Sequence, residues 1–133
     1  MKIIKRLPGL PVERALGILS GRWKALLLDV LATGPKRTCY LEKSITGLSQ
    51  KVLIEQLRAL EEHGLVQRRP VVDPQGIEYA LTPLGESLMP LLQSLVAWGT
   101  RHAHEVGESD RLLPCEAVMR VRSALMAQAG AQD

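Results

Sequence analysis

The stretch LSQKVLIEQLRALEEHGLVQRRP, residues 48–70, decides the fold of this chain. Its apolar residues recur at intervals of four and three, which predicts a helix with one buried side. Ser49 is suited to cap the start of that helix, and Gly64 is suited to end it. The predicted buried stripe consists of Val52 or Leu53, Leu57 and Leu60. The segment therefore predicts an amphipathic helix that is followed directly by a basic strand.

The length and composition indicate one folded domain. The chain has 133 residues, of which 46% are hydrophobic, and a single domain commonly has roughly 100 to 200 residues. No apolar run approaches the ~18 residues of a membrane helix, and the basic N-terminal segment lacks the apolar stretch of a signal peptide. We therefore expect a cytoplasmic protein without a membrane partner. Two cysteines far apart in the sequence, Cys39 and Cys115, cannot form a disulfide framework.

The charge balance permits a polyanionic partner. The formal net charge is +3 and the sequence pI is about 9.1. Aromatic residues make up 3% of the chain and Phe is absent. This scarcity argues against a platform for single-stranded nucleic acid, because such platforms need exposed rings on which the bases stack.

The remaining segments predict a winged helix-turn-helix. Pro11 suits the first turn of a helix, the turn sequence DPQG predicts a β-hairpin, and Thr82 caps a long helix that Pro90 should kink. The predicted order is two helices, a short helix, the helix after Ser49, the hairpin and the long helix. The fold class is therefore mainly α with a small β-hairpin. We assign residues 1–106 to the winged-helix domain and residues 107–133 to a C-terminal extension that is predicted to be helical.

The polar side of the helix after Ser49 is predicted to read double-stranded DNA, because the major groove admits one helix. Amide and cationic side chains offer hydrogen bonds to base edges or phosphates, and an apolar side chain offers contact with a thymine methyl group. Glu55 fits this role only if it accepts from cytosine or pairs with a nearby cation. The candidate residues on this helix are Ser49, Gln50, Lys51, Ile54, Glu55 and Arg58, and the predicted phosphate contacts are Lys36, Arg37, Arg68 and Arg69.

Several motifs together resemble the HxlR-type transcriptional regulators, a group of dimeric winged-helix proteins related to the MarR type. They are GRWK, GPKR, SQKVL, LRALEEHGLV and YALTPLG, and the similar region runs over residues 11–104. The resemblance implies that the helix after Ser49 reads DNA, that the hairpin is the wing, and that the first helix and the long helix after Thr82 form a homodimer. The residues that it places at the dimer interface are Val12, Leu16, Leu88, Leu91, Leu92, Leu95 and Trp98.

The chain departs from the family pattern at three places. Leu10 stands where many members have a cysteine, which in some is the redox-sensing thiol, so sensing by that residue is excluded. Thr38 replaces the usual aromatic residue after GPKR, and this puts the packing of the short helix in question. The segment after Gly107 extends beyond the usual end, and the resemblance implies nothing about it.

The function predicted from the sequence is a homodimeric repressor that reads a pseudo-palindromic operator. One alternative is a winged-helix module that binds a protein instead of DNA, which the carboxylates Glu55, Glu61 and Glu62 would favour. Another is a thiol sensor of oxidants or electrophiles through Cys39 or Cys115, although free cysteine more often packs as a small apolar residue. His102 and His104 lie two apart on a helix and point in different directions, so no metal site is predicted. The sequence contains no enzyme motif, predicts no cofactor, and does not identify an effector.

Overall fold

The computed structural model describes residues 6–72 and 75–112. In these ranges the chain forms the predicted winged-helix order, with one additional short strand. The helices are α1 (Pro11–Leu19), α2 (Lys24–Leu31), α3 (Thr38–Ser44), α4 (Gln50–Glu62), α5 (Pro83–Ser87) and α6 (Met89–Glu105), and a 3-10 turn follows at Ser109–Arg111. The strands are β1 (Lys36–Arg37), β2 (Val66–Val72) and β3 (Gln75–Leu81).

The hydrophobic core is formed where α2, α3 and α4 meet the sheet. Its innermost side chains are fully buried leucines from the three helices, and Val66 and Tyr79 add the inner face of the sheet. α3 forms although Thr38 replaces the usual aromatic residue after GPKR. Its buried residues are Leu41 and Ser44, so an aromatic ring at this position is not needed. The fully buried leucines are Leu27, Leu28, Leu41, Leu53, Leu57 and Leu60.

The sheet has three antiparallel strands in the order β1-β3-β2. The predicted hairpin is confirmed as β2 and β3, in a register that pairs Arg68 with Tyr79 and Arg69 with Glu78. β1 was not predicted. It pairs Lys36 with Tyr79 and Arg37 with Glu78, so β1 covers the edge of β3 that does not pair with β2. The wing is therefore anchored to the segment that leads into α3.

The base of the wing is joined to α5 through Thr82. Its hydroxyl donates to the Gly64 carbonyl at 2.6 Å and accepts from the Gly85 N–H at 3.1 Å, so the predicted cap also fixes the end of α4. Gly64 has φ of +80°, the left-handed conformation that favours glycine at a helix end. A Cβ at Gly85 would overlap the Leu65 carbonyl oxygen, so only glycine permits α5 to pack this closely.

The prediction of a single long helix after Thr82 is wrong in one respect: the segment forms two helices. α5 ends at Ser87, Leu88 lies between the helices, and α6 begins at Met89. Pro90 is responsible, because its ring would clash with a carbonyl one turn earlier in a continuous helix. In the first turn of α6 its missing N–H costs nothing. At the predicted kink the helix is thus interrupted at one residue, Leu88, whose backbone keeps right-handed helical dihedral angles.

Two regions of the prediction lie outside the described residues. They are the first half of the hairpin turn, Asp73 and Pro74, and the segment from residue 113 onward, which includes Cys115 and the predicted C-terminal helix. The division of the chain at residues 106 and 107 accordingly stays a prediction.

Candidate nucleic-acid interface

Helix α4 has one fully buried side and one exposed polar side. Leu53, Leu57 and Leu60 are 0% exposed. The Ser49 hydroxyl accepts from the Val52 N–H at 3.2 Å, which confirms the predicted cap and fixes the start of the helix. The residues on the exposed side are Gln50, Lys51, Glu55 and Arg58, with Ile54 half-buried beside them. The predicted contact residues of α4 are therefore brought together on one surface, to which Ile54 contributes only part of its side chain.

Gln56 belongs to the inner side of α4. Its Oε1 atom is buried, and no hydrogen-bond partner for it lies within the described residues. An ideal Cβ at Gly21, in the connection between α1 and α2, would lie 4.0 Å from this oxygen. Gln56 thus faces the protein interior rather than the exposed polar side of α4.

The turn between α3 and α4 is supported by Trp23. The ring packs against the core, and an ideal Cβ at Gly47 would lie 3.9 Å from its Cη2 atom. The Arg22 guanidinium covers the ring at 4.8 Å from its centroid. Trp23 thus packs between the core and the turn that leads into α4.

The two wing arginines lie on opposite faces of the sheet, because side chains alternate along a strand. Arg68 is on the face that packs against α4, where its Nε lies 3.9 Å from the Glu61 carboxylate. Arg69 is on the other face, and its Nε donates to the Glu78 carboxylate at 2.7 Å. The sequence analysis predicted that both arginines bind phosphate. In the structure they lie on different faces of the wing, and each is paired with a different carboxylate.

Lys36 and Arg37 are half-buried at the edge of the sheet rather than fully exposed. The Lys36 ammonium donates to the Gly34 carbonyl at 3.2 Å and lies 5.7 Å from the centroid of the Tyr40 ring. Arg37 is opposite Glu78 across β1 and β3, and its Nη1 would lie 3.2 Å from a Cβ built at Gly76. Arg37, Glu78 and Arg69 therefore form one row across three strands, which we call the arginine row. Sequence reasoning missed Glu78, because only the strand register brings it between two cations.

The wing carries apolar side chains towards its tip. Val72 is 89% exposed and Ile77 is 44% exposed. The basic character predicted for the wing is therefore concentrated in its middle part. An open cleft of about 340 Å³ lies beside Arg69, between the end of α2, the sheet and the start of α6.

Two buried or half-buried titratable groups lie behind α4. Burial raises the pKa of the Tyr79 hydroxyl, which keeps this residue neutral in the core. Burial, and then the nearby cations Lys24 and Arg14, lower the pKa of His63 below its ordinary value of 6.5, against an opposing effect of Glu62. The C-terminal end of α4 therefore lies in an environment that disfavours an additional positive charge.

Exposed apolar side chains on α1 and on α6 include most of the predicted dimer-interface residues. Val12, Leu16, Leu91 and Leu95 are exposed, and Trp98 is 64% exposed, with its ring stacked on His102 at 5.3 Å between centroids. Two of the predicted interface residues lie elsewhere: Leu92 belongs to the core of the protomer and Leu88 packs against it. Val96, which the sequence did not single out, is 68% exposed on α6.

The other candidate sites receive little further support. Cys39 is exposed on α3, and Cys115 lies outside the described residues. No cluster of three or more potential metal ligands is found among residues 6–72 and 75–112. Within the same part of the chain, no helix has the length and apolar character needed to cross a membrane.

Comparison with known proteins identifies the family. The model of the HxlR-like helix-turn-helix family matches residues 18–106. The uncharacterized HTH-type transcriptional regulator YkvN of Bacillus subtilis is 46% identical over 89 residues, which cover 66% of this chain and 75% of YkvN. YtcD of the same organism, also an uncharacterized HTH-type transcriptional regulator, is 37% identical over 77% of this chain and 82% of its own length.

Solved structures agree with this assignment. The redox regulator HypR in its reduced form has a TM-score of 0.66 and 33% identity, over 74% of this chain and 98% of HypR. The reduced form of the transcriptional regulator YodB from B. subtilis has a TM-score of 0.65 and 33% identity, over 71% of this chain and 94% of YodB. The chain therefore belongs to the family of HxlR-like helix-turn-helix transcriptional regulators.

Proposed function

We propose that the protein binds double-stranded DNA as a homodimer and represses transcription by occupying a promoter. In this proposal α4 enters the major groove and the hairpin of β2 and β3 contacts the adjacent backbone. The observation that carries it is the division of α4. Its apolar side is fully buried, so its cap and packing hold the exposed side, with Gln50, Lys51 and Arg58, rigidly on the surface.

The exposed apolar side of α6, together with the exposed apolar residues of α1, supports the homodimer. A contiguous exposed apolar surface on a soluble protein commonly marks an interaction site. On α6, Leu91, Leu95 and Trp98 follow one another at intervals of four and three, so they lie along one side of the helix. A twofold axis through such a surface would present two copies of α4, and the operator should have half-sites roughly 34 to 36 Å apart, or a multiple of that distance.

Fluorescence-anisotropy titration of labelled promoter fragments tests the DNA-binding proposal. The fragments are taken from the region upstream of the gene for this chain, and each titration is repeated at several salt concentrations. The logarithm of the affinity should fall with the logarithm of the salt concentration by roughly 0.9 for each phosphate neutralised. Lys51→Ala and Arg58→Ala should each weaken binding about tenfold, since one good base contact contributes roughly 1 to 3 kcal/mol.

Arg101→Ala is a suitable control for these variants. It also removes an exposed cation, but Arg101 lies on α6, where it pairs with Glu105. This variant should bind like the wild type. Binding that did not depend on salt, or equal losses in all three variants, would contradict the proposed role of α4.

A further inference from the structure

We propose that Glu78 is a built-in competitor of DNA phosphate, and that it sets how strongly the wing binds any duplex irrespective of sequence. This inference rests on the proposed function and assigns to one residue of the wing the role of lowering the affinity for DNA. It starts from the arginine row, in which one carboxylate on the central strand lies between cations on both neighbouring strands.

The contacts of the row are closely defined. Glu78 accepts from the Arg69 Nε at 2.7 Å, and the two side chains are 24% and 48% exposed. A charge-assisted hydrogen bond of this length is among the stronger polar contacts in proteins. On the other side, glycine at position 76 leaves space for the Arg37 guanidinium to lie against β3. The row therefore has two cations and one anion, and its net charge is half of what the arginines alone would give.

The position of Arg69 makes it available to a duplex. Arg69 lies on the edge strand β2, and its side chain is 48% exposed. Arg69 uses Nε for Glu78, and a guanidinium carries four further N–H donors on its two Nη nitrogens. A phosphate can therefore approach Arg69 only by displacing the carboxylate or by lying beside it, where the two anions repel each other. In both cases Glu78 reduces the binding free energy that the contact between Arg69 and phosphate contributes.

The effect must be independent of base sequence, because phosphate contacts carry no sequence information. The carboxylate should lower the affinity for operator DNA and for unrelated DNA by the same factor. It should also reduce the number of counterions that binding releases, because the cation is already partly neutralised before the DNA arrives. The salt dependence of binding thus reports on Glu78 directly, and a purely structural role of this residue would leave that slope unchanged.

The test compares the full-length wild-type protein with Glu78→Gln, whose amide oxygen can still accept from Arg69 without carrying a charge. Both proteins are titrated with the promoter fragment and with a short duplex of unrelated sequence over a fourfold range of salt. Glu78→Gln should bind both duplexes more tightly by a common factor, about 3- to 10-fold at the lowest salt. Its slope should be steeper by up to about 0.9, which corresponds to one additional phosphate contact.

Glu105→Gln provides a matched control, because Glu105 accepts from the Arg101 Nε at 3.0 Å in a pair of the same type on α6. It removes the same charge at a different place and should leave both affinities unchanged, at protein concentrations where analytical ultracentrifugation gives the variant and the wild type the same association state. The gain from Glu78→Gln should also disappear in an Arg69→Ala background. Circular dichroism and a thermal melt verify that each variant is folded.

Two results would overturn the inference while the proposed function stands. One is a Glu78→Gln protein that binds duplexes with the affinity and salt slope of the wild type, and the other is a gain that persists without Arg69. A wild type that binds none of the duplexes would instead overturn the proposed function itself.

Discussion

Helices α4 and α6 have similar leucine spacing but opposite burial. In α4 the leucines at positions 53, 57 and 60 are 0% exposed, whereas on α6 Leu91 and Leu95 are each 41% exposed. The core of the protomer therefore covers the apolar side of α4, and the polar side is left to meet a polar ligand. On α6 much of the apolar side is uncovered, so this helix has surface to bury against a partner. The same periodicity thus faces the interior of the protomer in α4 and the proposed dimer interface in α6.

The largest effect is expected from breaking the buried side of α4. Leu57→Ala removes a fully buried side chain and leaves a cavity, so the free energy of unfolding should fall by roughly 2 to 5 kcal/mol. Urea denaturation followed by circular dichroism measures this change. Leu95→Ala removes the same atoms from α6 and should cost less than about 1 kcal/mol at a protein concentration low enough to keep the chain monomeric. Equal losses in both variants would contradict the difference between the helices.

The exposed side of α6 can be broken without disturbing the core. Leu95→Asp places a carboxylate in the proposed interface, and the dimer dissociation constant should rise at least about 30-fold, or about 2 kcal/mol, because the charge would be buried without a partner. Analytical ultracentrifugation over a range of concentrations measures it. Gln93→Asp introduces the same charge on an exposed residue two positions earlier and should leave association unchanged. A wild type that stays monomeric at every concentration would refute the homodimer.

Local rules predicted most of the secondary structure correctly. The caps at Ser49 and Thr82, the end of α4 at Gly64 and the hairpin depend on residues close together in the sequence, and their conformational preferences are strong. The inner stripe of α4 was predictable for the same reason. The exposed polar side followed from it, because a helix with one buried side exposes the opposite side.

The features that sequence reasoning missed depend on contacts between distant segments. β1 has only two residues, and it exists because β3 lies alongside it. Arg68 and Arg69 lie on opposite faces of the sheet, and Glu78 lies opposite Arg69. Both facts follow from the register of β2 and β3, which cannot be deduced from the sequence alone. Periodicity alone also could not divide the leucines of the segment after Thr82: Leu92 enters the core while Leu91 stays outside, and only the packing of α6 against the rest of the fold decides between these neighbours.

The smallest expected effect concerns the end of α4, where His63 lies close to cations of α1 and α2. Burial, followed by Lys24 and Arg14, lowers the pKa of His63 in the folded protein below 6.5, so the unfolded chain binds a proton more readily. The contribution of His63 to stability is therefore fully present above pH 6.5 and is lost as the pH falls from there through the lowered folded pKa. Urea denaturation at several pH values should show a free energy of unfolding that decreases below pH 6.5 less steeply in His63→Gln than in the wild type. Lys24→Met should give an intermediate slope, because it removes one of the cations while leaving the burial of His63 in place. Parallel profiles for the wild type and His63→Gln would mean that another group near α4 carries the pH dependence.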